Sequence, residues 1–187
     1  MNNDKKSQFC SGARFWFSEI CDRNNQYSNW LNNGPPVVFW MSGFFNPQGF
    51  ITAMKQEASR LHEGWSLDSI VLANSVQIHA LETIRSGPSE GVYIHGLYLE
   101  GGSWDKKNAK LVEPKFKQLY DPMPVINLFA TLDNKKDSKH ADTSYSAPIY
   151  KKIQRGGINY VNSIDLACSK NADFWTIRGV CLLCDLK

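Results

Sequence analysis

Residues 34–50 constrain the fold more than any other stretch of this 187-residue sequence. Pro35 and Pro36 remove two backbone donors and fix φ, so the chain must enter the stretch in an extended conformation. A short apolar run follows and fits either a buried strand or a packed turn, because periodicity cannot decide over so few residues. Asn46 before Pro47 is typical of a helix start, since Asn can cap free N–H groups and Pro suits the first helical position. The stretch therefore predicts a stiff connection that leads directly into a helix.

Two amphipathic helices are predicted in the first third of the chain. Apolar residues recur at helical spacing over residues 13–31 and again over residues 47–63, while charged and amide side chains fall on the other faces. Residues 1–12 are polar, lack this pattern and are expected to form a disordered leader. We therefore assign residues 13–66 to a helical region that leads into the rest of the fold.

The pattern changes to short strands after residue 67. Residues 91–100 form the clearest strand, since apolar side chains point to both faces, as they do inside a barrel or beneath a helix. Gly, Pro and Asn separate the other strand candidates, which are residues 70–77, 110–112, 124–131, 147–152, 159–168 and 179–186. Residues 132–143 are charged and are expected to be a mobile loop. The predicted fold class is α+β, with N-terminal helices followed by a small antiparallel β-barrel of about six strands over residues 67–187.

Composition indicates an ordinary folded protein and argues against several classes of function. Hydrophobic residues make up 42% and charged residues 21% of the sequence, which is normal for a globular protein. The formal charge of +3 is too small to indicate a nucleic-acid binder by itself. No run of about 18 apolar residues is present to span a membrane. The five cysteines are an odd and scattered set, which disfavours a disulfide framework and favours a reducing cytoplasm.

Two incomplete chemical motifs occur in the predicted strands. Residues 91–96 have the glycine spacing of a phosphate-binding loop, but Leu97 and Tyr98 stand where Lys and Ser or Thr are required. Cys181 and Cys184 form a C-x-x-C pair, and no second pair completes a tetrahedral zinc site. We therefore expect a strand at the first motif and buried core thiols at the second.

Several segments resemble the C-terminal region of dynein heavy chains and follow one another in the expected order. The strongest is PSEGVYIHGLYLEG at residues 88–101, which leads into Trp104 and Asp105. The others are residues 34–50, 123–126, 145–152 and 175–184. The sequence NPQGF at residues 46–50 is most similar to axonemal, outer-arm-type heavy chains.

The resemblance implies a non-catalytic C-terminal domain of an axonemal dynein heavy chain, whose helices and small barrel lie on one face of the AAA+ ring. Such a domain would pack on the ring modules of its own heavy chain and modulate ATP-driven motility. The parent motor would act with other dynein subunits on microtubules in the cytoplasm, in the cytoskeleton of a ciliary or flagellar axoneme, and not at a membrane. No catalytic, cofactor-binding or metal-binding residue is carried over, because ATP and Mg belong to upstream modules.

Four residues are candidates for docking on the ring or for a structural role. They are Trp104, Asp105, Trp175 and Arg178. An arginine in this setting can stack on an aromatic ring or pair with a carboxylate. Taken alone, Arg178 after Phe174 and Trp175 favours a local structural role over docking between modules.

An independent β-barrel module that binds nucleic acid or a peptide is the alternative function. Lysine pairs at residues 5–6, 106–107, 135–136 and 151–152 can line a binding groove. Acidic residues interleave with several of these pairs, so a solvated surface is the better interpretation and nucleic acid is disfavoured as a partner. A small hydrolase that uses Ser103 is a third and weaker hypothesis, because the surrounding residues match a nucleophile elbow only in part.

Overall fold

The computed structural model describes residues 3–78, 80–132 and 144–186, and it describes the side chains of the first helix from residue 16 onward. The mobile loop predicted at residues 132–143 and the lysine pair at 135–136 therefore lie outside the described residues, apart from Leu132. The protein divides into two compact units, Met1–Pro36 and Val37–Lys187. The second unit thus includes part of the helical region that we assigned to residues 13–66.

In its described residues the first unit contains one helix, α1 (Asn3–Asn33). It begins within residues 1–12, which we expected to be a disordered leader. The Lys and Gln residues of this segment have good helix propensity, and extending a helix is easier than starting one. After the helix ends, Gly34 adopts φ +88° and its N–H donates to the carbonyl of Trp30 at 3.0 Å, which is a common way to terminate a helix.

The second unit contains two helices and eleven strands in the part of the sequence that is described. The helices are α2 (Pro47–Leu61) and α3 (Ala172–Ile177). The strands are β1 (Val38–Trp40), β2 (Ile70–Val76), β3 (Val92–His95), β4 (Tyr98–Glu100), β5 (Ser103–Asp105), β6 (Lys110–Val112), β7 (Tyr120–Pro122), β8 (Ile126–Leu132), β9 (Ser144–Tyr150), β10 (Tyr160–Ala167) and β11 (Cys181–Leu183). This content confirms the α+β class.

For the apolar run after the two prolines, the sequence left open a buried strand or a packed turn, and the structure contains both. The run forms strand β1 and then a short 3-10 turn, Met41–Gly43. The helix start predicted after this run is confirmed, since the side chain of Asn46 accepts a hydrogen bond from the N–H of Gly49 at 3.0 Å. Helix α2 then packs on strands β2, β8 and β10.

The strands form two larger sheets and a hairpin. The strand orders are β1-β3-β8-β2, β10-β9-β11-β4-β7 and β5-β6. Strand β1 runs parallel to β3, and β11 runs parallel to β9, so the predicted all-antiparallel arrangement is wrong. The predicted number of about six strands is too small because several strands have only three residues. The described strands form no closed barrel, so the predicted barrel is not confirmed.

A bend at Gly96 divides residues 91–100, predicted as one strand, into β3 and β4. Gly96 adopts φ +84°, and a Cβ atom there would lie 2.5 Å from the ring of Trp40. Beyond the bend, the carbonyl of Leu97 accepts a hydrogen bond from the N–H of Met123 at 2.9 Å. The pair β3–β8 of the first sheet therefore continues as the pair β4–β7 of the second sheet, and one bent strand pair joins the two sheets.

On the other side of the core, one side chain joins the edges of the two sheets. The amide of Asn74 on β2 donates to the carbonyl of Asp165 on β10 at 2.8 Å and accepts from its N–H at 2.7 Å. The side chain thus supplies the hydrogen bonds that a neighbouring strand would otherwise make. A side-chain bridge thus takes the place of a backbone ladder between β2 and β10.

The core is apolar and lies against the inner faces of the two sheets. Strand β11 is fully buried between β4 and β9, and Trp175 of α3 is buried as well. Phe50 of α2 stacks on Phe44, with their ring centroids 4.6 Å apart. Among the described residues, no helix combines the length and apolar character needed to cross a bilayer.

Candidate docking face

Trp104 lies inside the protein at the centre of β5. Its side chain is only 5% exposed, and its backbone N–H donates to the carboxylate of Asp121 at 2.9 Å. The residue pairs across the hairpin with Leu111 of β6, which is also buried. Trp104 therefore supports the fold and offers almost no surface to a partner.

Asp105 fixes the turn of the β5–β6 hairpin. One carboxylate oxygen accepts the side-chain amide of Asn108 at 2.6 Å, and the other accepts the backbone N–H of Lys107 at 2.9 Å. These hydrogen bonds, with that from Asn108 the largest contribution, lower the pKa of Asp105. The carboxylate is thus held ionised as part of the turn.

Trp175 is buried in the short helix α3. The helix begins at a capped position, where the side chain of Asn171 accepts the N–H of Phe174 at 3.0 Å. Trp175 is 1% exposed, and its indole N–H forms no hydrogen bond of good geometry. It lies next to the thiol of Cys168, whose pKa is raised by burial and partly lowered again by the indole. Like Trp104, this residue is part of the buried core.

Arg178 is the exposed member of the four candidates. Its guanidinium carbon lies 3.5 Å from the ring centroid of Phe174, and the ammonium of Lys170 lies 3.9 Å from the same centroid. Lys170 also forms an ion pair with Glu113, which lowers the pKa of that carboxyl group. A cation–π contact of this kind orders two positive charges at the surface.

The structure brings the four candidates into one region. Leu111, opposite Trp104 in the hairpin, forms a parallel bridge with Cys168, which lies next to Trp175. We call the surface formed by residues 103–121 and 168–178 the docking face. The docking face has a buried support, which includes Trp104 and Trp175, and an exposed layer of charged and apolar side chains.

Comparison with known proteins decides the family. The family model for the C-terminal domain of the dynein heavy chain matches residues 4–184. This protein belongs to that family. The dynein resemblance expected from the sequence is thereby confirmed.

The proteins similar to this dynein domain include axonemal heavy chains. It is 48% identical over 183 residues to "Dynein axonemal heavy chain 5" of Mus musculus, covering 98% of this sequence and 4% of that protein. It is 47% identical over 174 residues to "Dynein axonemal heavy chain 8" of Homo sapiens, covering 92% and 4%. It is 36% identical over 184 residues to "Dynein gamma chain, flagellar outer arm" of Chlamydomonas reinhardtii, covering 97% and 4%. The domain thus spans only a small part of the relatives' length.

The incomplete motifs of this dynein domain are parts of its folded framework. Residues 92–95 form strand β3, so the backbone there pairs with neighbouring strands and does not curl around a phosphate group. Ser103 is fully buried, and its hydroxyl accepts the N–H of Lys115 at 3.2 Å. A substrate has no access to this hydroxyl, so the structure gives the hydrolase hypothesis no support.

The cysteine pair of the dynein domain lies in the core. Burial raises the pKa of Cys181 to about 11 and that of Cys184 to about 12. Both thiols are therefore protonated and weakly nucleophilic at neutral pH. Within the described ranges, no three His, Cys, Asp or Glu side chains are grouped to hold a metal ion.

A cavity of about 300 Å³ lies beside Trp104 in this dynein domain. Its lining includes Glu82, His95 and Lys106, and burial lowers the pKa of His95. The polar groups are thus of mixed charge, which is unsuitable for a polyphosphate, since such a ligand requires several convergent donors or cations.

The docking face exposes large apolar residues that were not among the predicted candidates. Phe116 is 89% exposed, Leu119 66% and Ile177 86%. The signal for the first two is present in the sequence, because Phe116 stands between Lys115 and Lys117 in a segment with no strand or helix pattern. An apolar side chain among lysines in a loop indicates a residue that is displayed to solvent.

Proposed function

We propose that this domain packs on the AAA+ ring of its own axonemal dynein heavy chain and modulates ATP-driven movement along microtubules, without catalysing a reaction itself. The match of residues 4–184 to the C-terminal domain family carries this proposal. The axonemal, ciliary and flagellar names of the relatives support a cytoskeletal location in cilia or flagella. ATP and Mg would act in upstream modules of the same polypeptide.

In the proposed mechanism, the domain makes different contacts with different conformations of the ring. A ring that hydrolyses ATP passes through several conformations, and a domain that packs better on one of them shifts the population toward it. The domain suits this role because its two sheets are joined on both sides, by the bend at Gly96 and by the bridge from Asn74. Its exposed apolar residues on the docking face provide surface for such contacts.

The alternative of a nucleic-acid or peptide module has no specific support in the structure. Among the predicted lysine pairs, Lys151 directs its ammonium group to the carbonyl of Phe45 at 2.5 Å. One member of that pair is therefore engaged within the fold and is poorly placed to follow a phosphate backbone.

The test uses the full heavy chain with and without residues 37–187. We expect the deletion to change microtubule gliding velocity and microtubule-stimulated ATPase activity by at least about fivefold, the lower end of typical allosteric coupling. Nucleotide binding by the upstream modules, measured in parallel, verifies that they are folded. Equal velocity and ATPase activity in both proteins would overturn the modulatory function, and phosphate release from ATP by the 187-residue protein alone would overturn its non-catalytic character.

A further inference from the structure

The loop between β6 and β7, residues 113–119, is held by buried polar groups. Ser103 and Asp121 are the buried polar side chains of the described core, and both bind this loop. The hydroxyl of Ser103 accepts the N–H of Lys115 at 3.2 Å. Asp121 accepts the side-chain amide of Gln118 at 2.9 Å and the ammonium of Lys115 at 3.5 Å. The loop is thus fixed from below at two points.

This fixed loop displays apolar side chains to water. Phe116 is 89% exposed and Leu119 is 66% exposed. Between them, Lys117 adopts φ +60°, a left-handed conformation that is unfavourable for residues other than glycine. A strained backbone and two buried polar anchors therefore maintain an arrangement that exposes hydrophobic surface, which is unfavourable in water. Burial of Phe116 and Leu119 against a partner would remove that unfavourable exposure.

The charges around Phe116 indicate the chemistry of the partner. The ammonium of Lys117 lies 5.3 Å from the ring centroid of Phe116, whereas the ammonium of Lys115 is paired with Asp121 at 3.5 Å. Glu113 is the one carboxylate in the sequence of this loop, and it is paired with Lys170. The loop therefore presents an apolar tip with positive charge beside it, which fits an apolar recess bordered by carboxylates.

We propose that residues 113–119 form a docking knob that inserts Phe116 and Leu119 into such a recess on the upstream part of the same polypeptide. This inference rests on the proposed function and specifies its contact surface. Two side chains are too few for a stable interface between separate proteins, which buries about 1,200 Å² or more. A covalently attached partner raises the effective concentration, so a small contact suffices. The relatives provide that partner, because the match covers 4% of their length.

The direct test is zero-length carbodiimide cross-linking of the full heavy chain, followed by mass spectrometry. We expect Lys117 to be joined to Asp or Glu residues upstream of this domain in the same polypeptide. The variant Phe116→Ser with Leu119→Ser keeps both lysines and should lower the yield of these cross-links about tenfold. Ile158→Ser is the matched control, because Ile158 is 93% exposed on a different loop, and it should leave the yield unchanged.

Several outcomes would overturn the docking knob. These are an absence of upstream cross-links, an equal loss of yield in the Ile158 control, or cross-links that join two isotopically distinguished heavy chains. Urea unfolding of each variant domain verifies folding, since exposed substitutions should leave the midpoint unchanged.

If deletion of residues 37–187 changes motility but the Phe116 and Leu119 variant behaves as wild type in cross-linking and gliding, the docking knob alone fails. If the cross-links form as expected and the deletion leaves motility unchanged, the modulatory function alone fails.

Discussion

Asp121 shows how one buried carboxylate organises two neighbouring segments. It accepts the backbone N–H of Trp104 from the hairpin and the side-chain amide of Gln118 from the loop. Both donors are satisfied by the same group, which is 7% exposed. The residue therefore links the buried support of the docking face to its exposed layer.

The variant Asp121→Ala should lower the free energy of unfolding by about 2–3 kcal/mol, because it leaves the N–H of Trp104 buried without an acceptor and releases the loop. Urea denaturation followed by tryptophan fluorescence measures this change. Asp68→Ala, at an exposed position in a short turn, is the matched control and should stay within about 0.5 kcal/mol of wild type. An equally small effect of Asp121→Ala would contradict the anchoring role.

Residue type alone predicted the docking candidates only in part. The aromatic and charged chemistry of Trp104, Asp105, Trp175 and Arg178 indicated importance, but not the direction in which each side chain points. Direction depends on pairing and packing partners that are distant in the sequence, such as Cys168 beside Trp175. The structure buries both tryptophans, and the docking role of Arg178 stays a prediction.

At the scale of elements, the predictions succeeded where the signals are local. The start of α2 follows from Asn46 and Pro47 within a few residues, and the structure shows the cap. The break inside residues 91–100 was missed, because Gly96 resembles any small residue in a two-sided apolar strand. The place of β11 between β4 and β9 cannot be read from residues 179–186, since strand partners are set by contacts across the whole fold.

The bridge between β2 and β10 gives a test at this scale. Asn74→Ala removes two hydrogen bonds to the backbone of Asp165, and we expect a loss of about 1–2 kcal/mol in unfolding free energy. Amide hydrogen exchange should accelerate in β2 and β10 more than in β3 and β4, which lie at the bent strand pair. Ser75→Ala, one residue along at an exposed position, is the control. Uniform exchange across all four strands would show that Asn74 does not join the sheets.

At the scale of the whole molecule, buried thiols make stability depend on alkaline pH. The pKa values of Cys181 and Cys184 are raised to about 11 and about 12 by burial, whereas an unfolded thiol has a pKa of about 8.5. Above that pH the unfolded protein releases these protons and the folded protein retains them. Their stabilising contribution is therefore complete below about pH 8.5 and is lost progressively toward pH 11–12.

We expect the urea midpoint to fall between pH 8 and pH 10, and to fall less in the variant Cys181→Ala with Cys184→Ala. We compare the slopes of urea midpoint against pH, and not the absolute midpoints, because the substitutions also create small cavities that lower stability at every pH. A slope unchanged by the double substitution would show that these thiols do not titrate as buried groups.

The position of β11 has a consequence for synthesis of the domain. It follows every other strand in the described part of the sequence, yet it lies in the interior of the five-stranded sheet and pairs with both β4 and β9. A nascent polypeptide whose residue 183 is still inside the ribosomal tunnel lacks this middle strand, so the sheet can be completed only after release of that segment. A premature stop codon shortly before Cys181 would remove the strand that joins the two halves of the sheet, and the truncated product would be a substrate for cellular quality control.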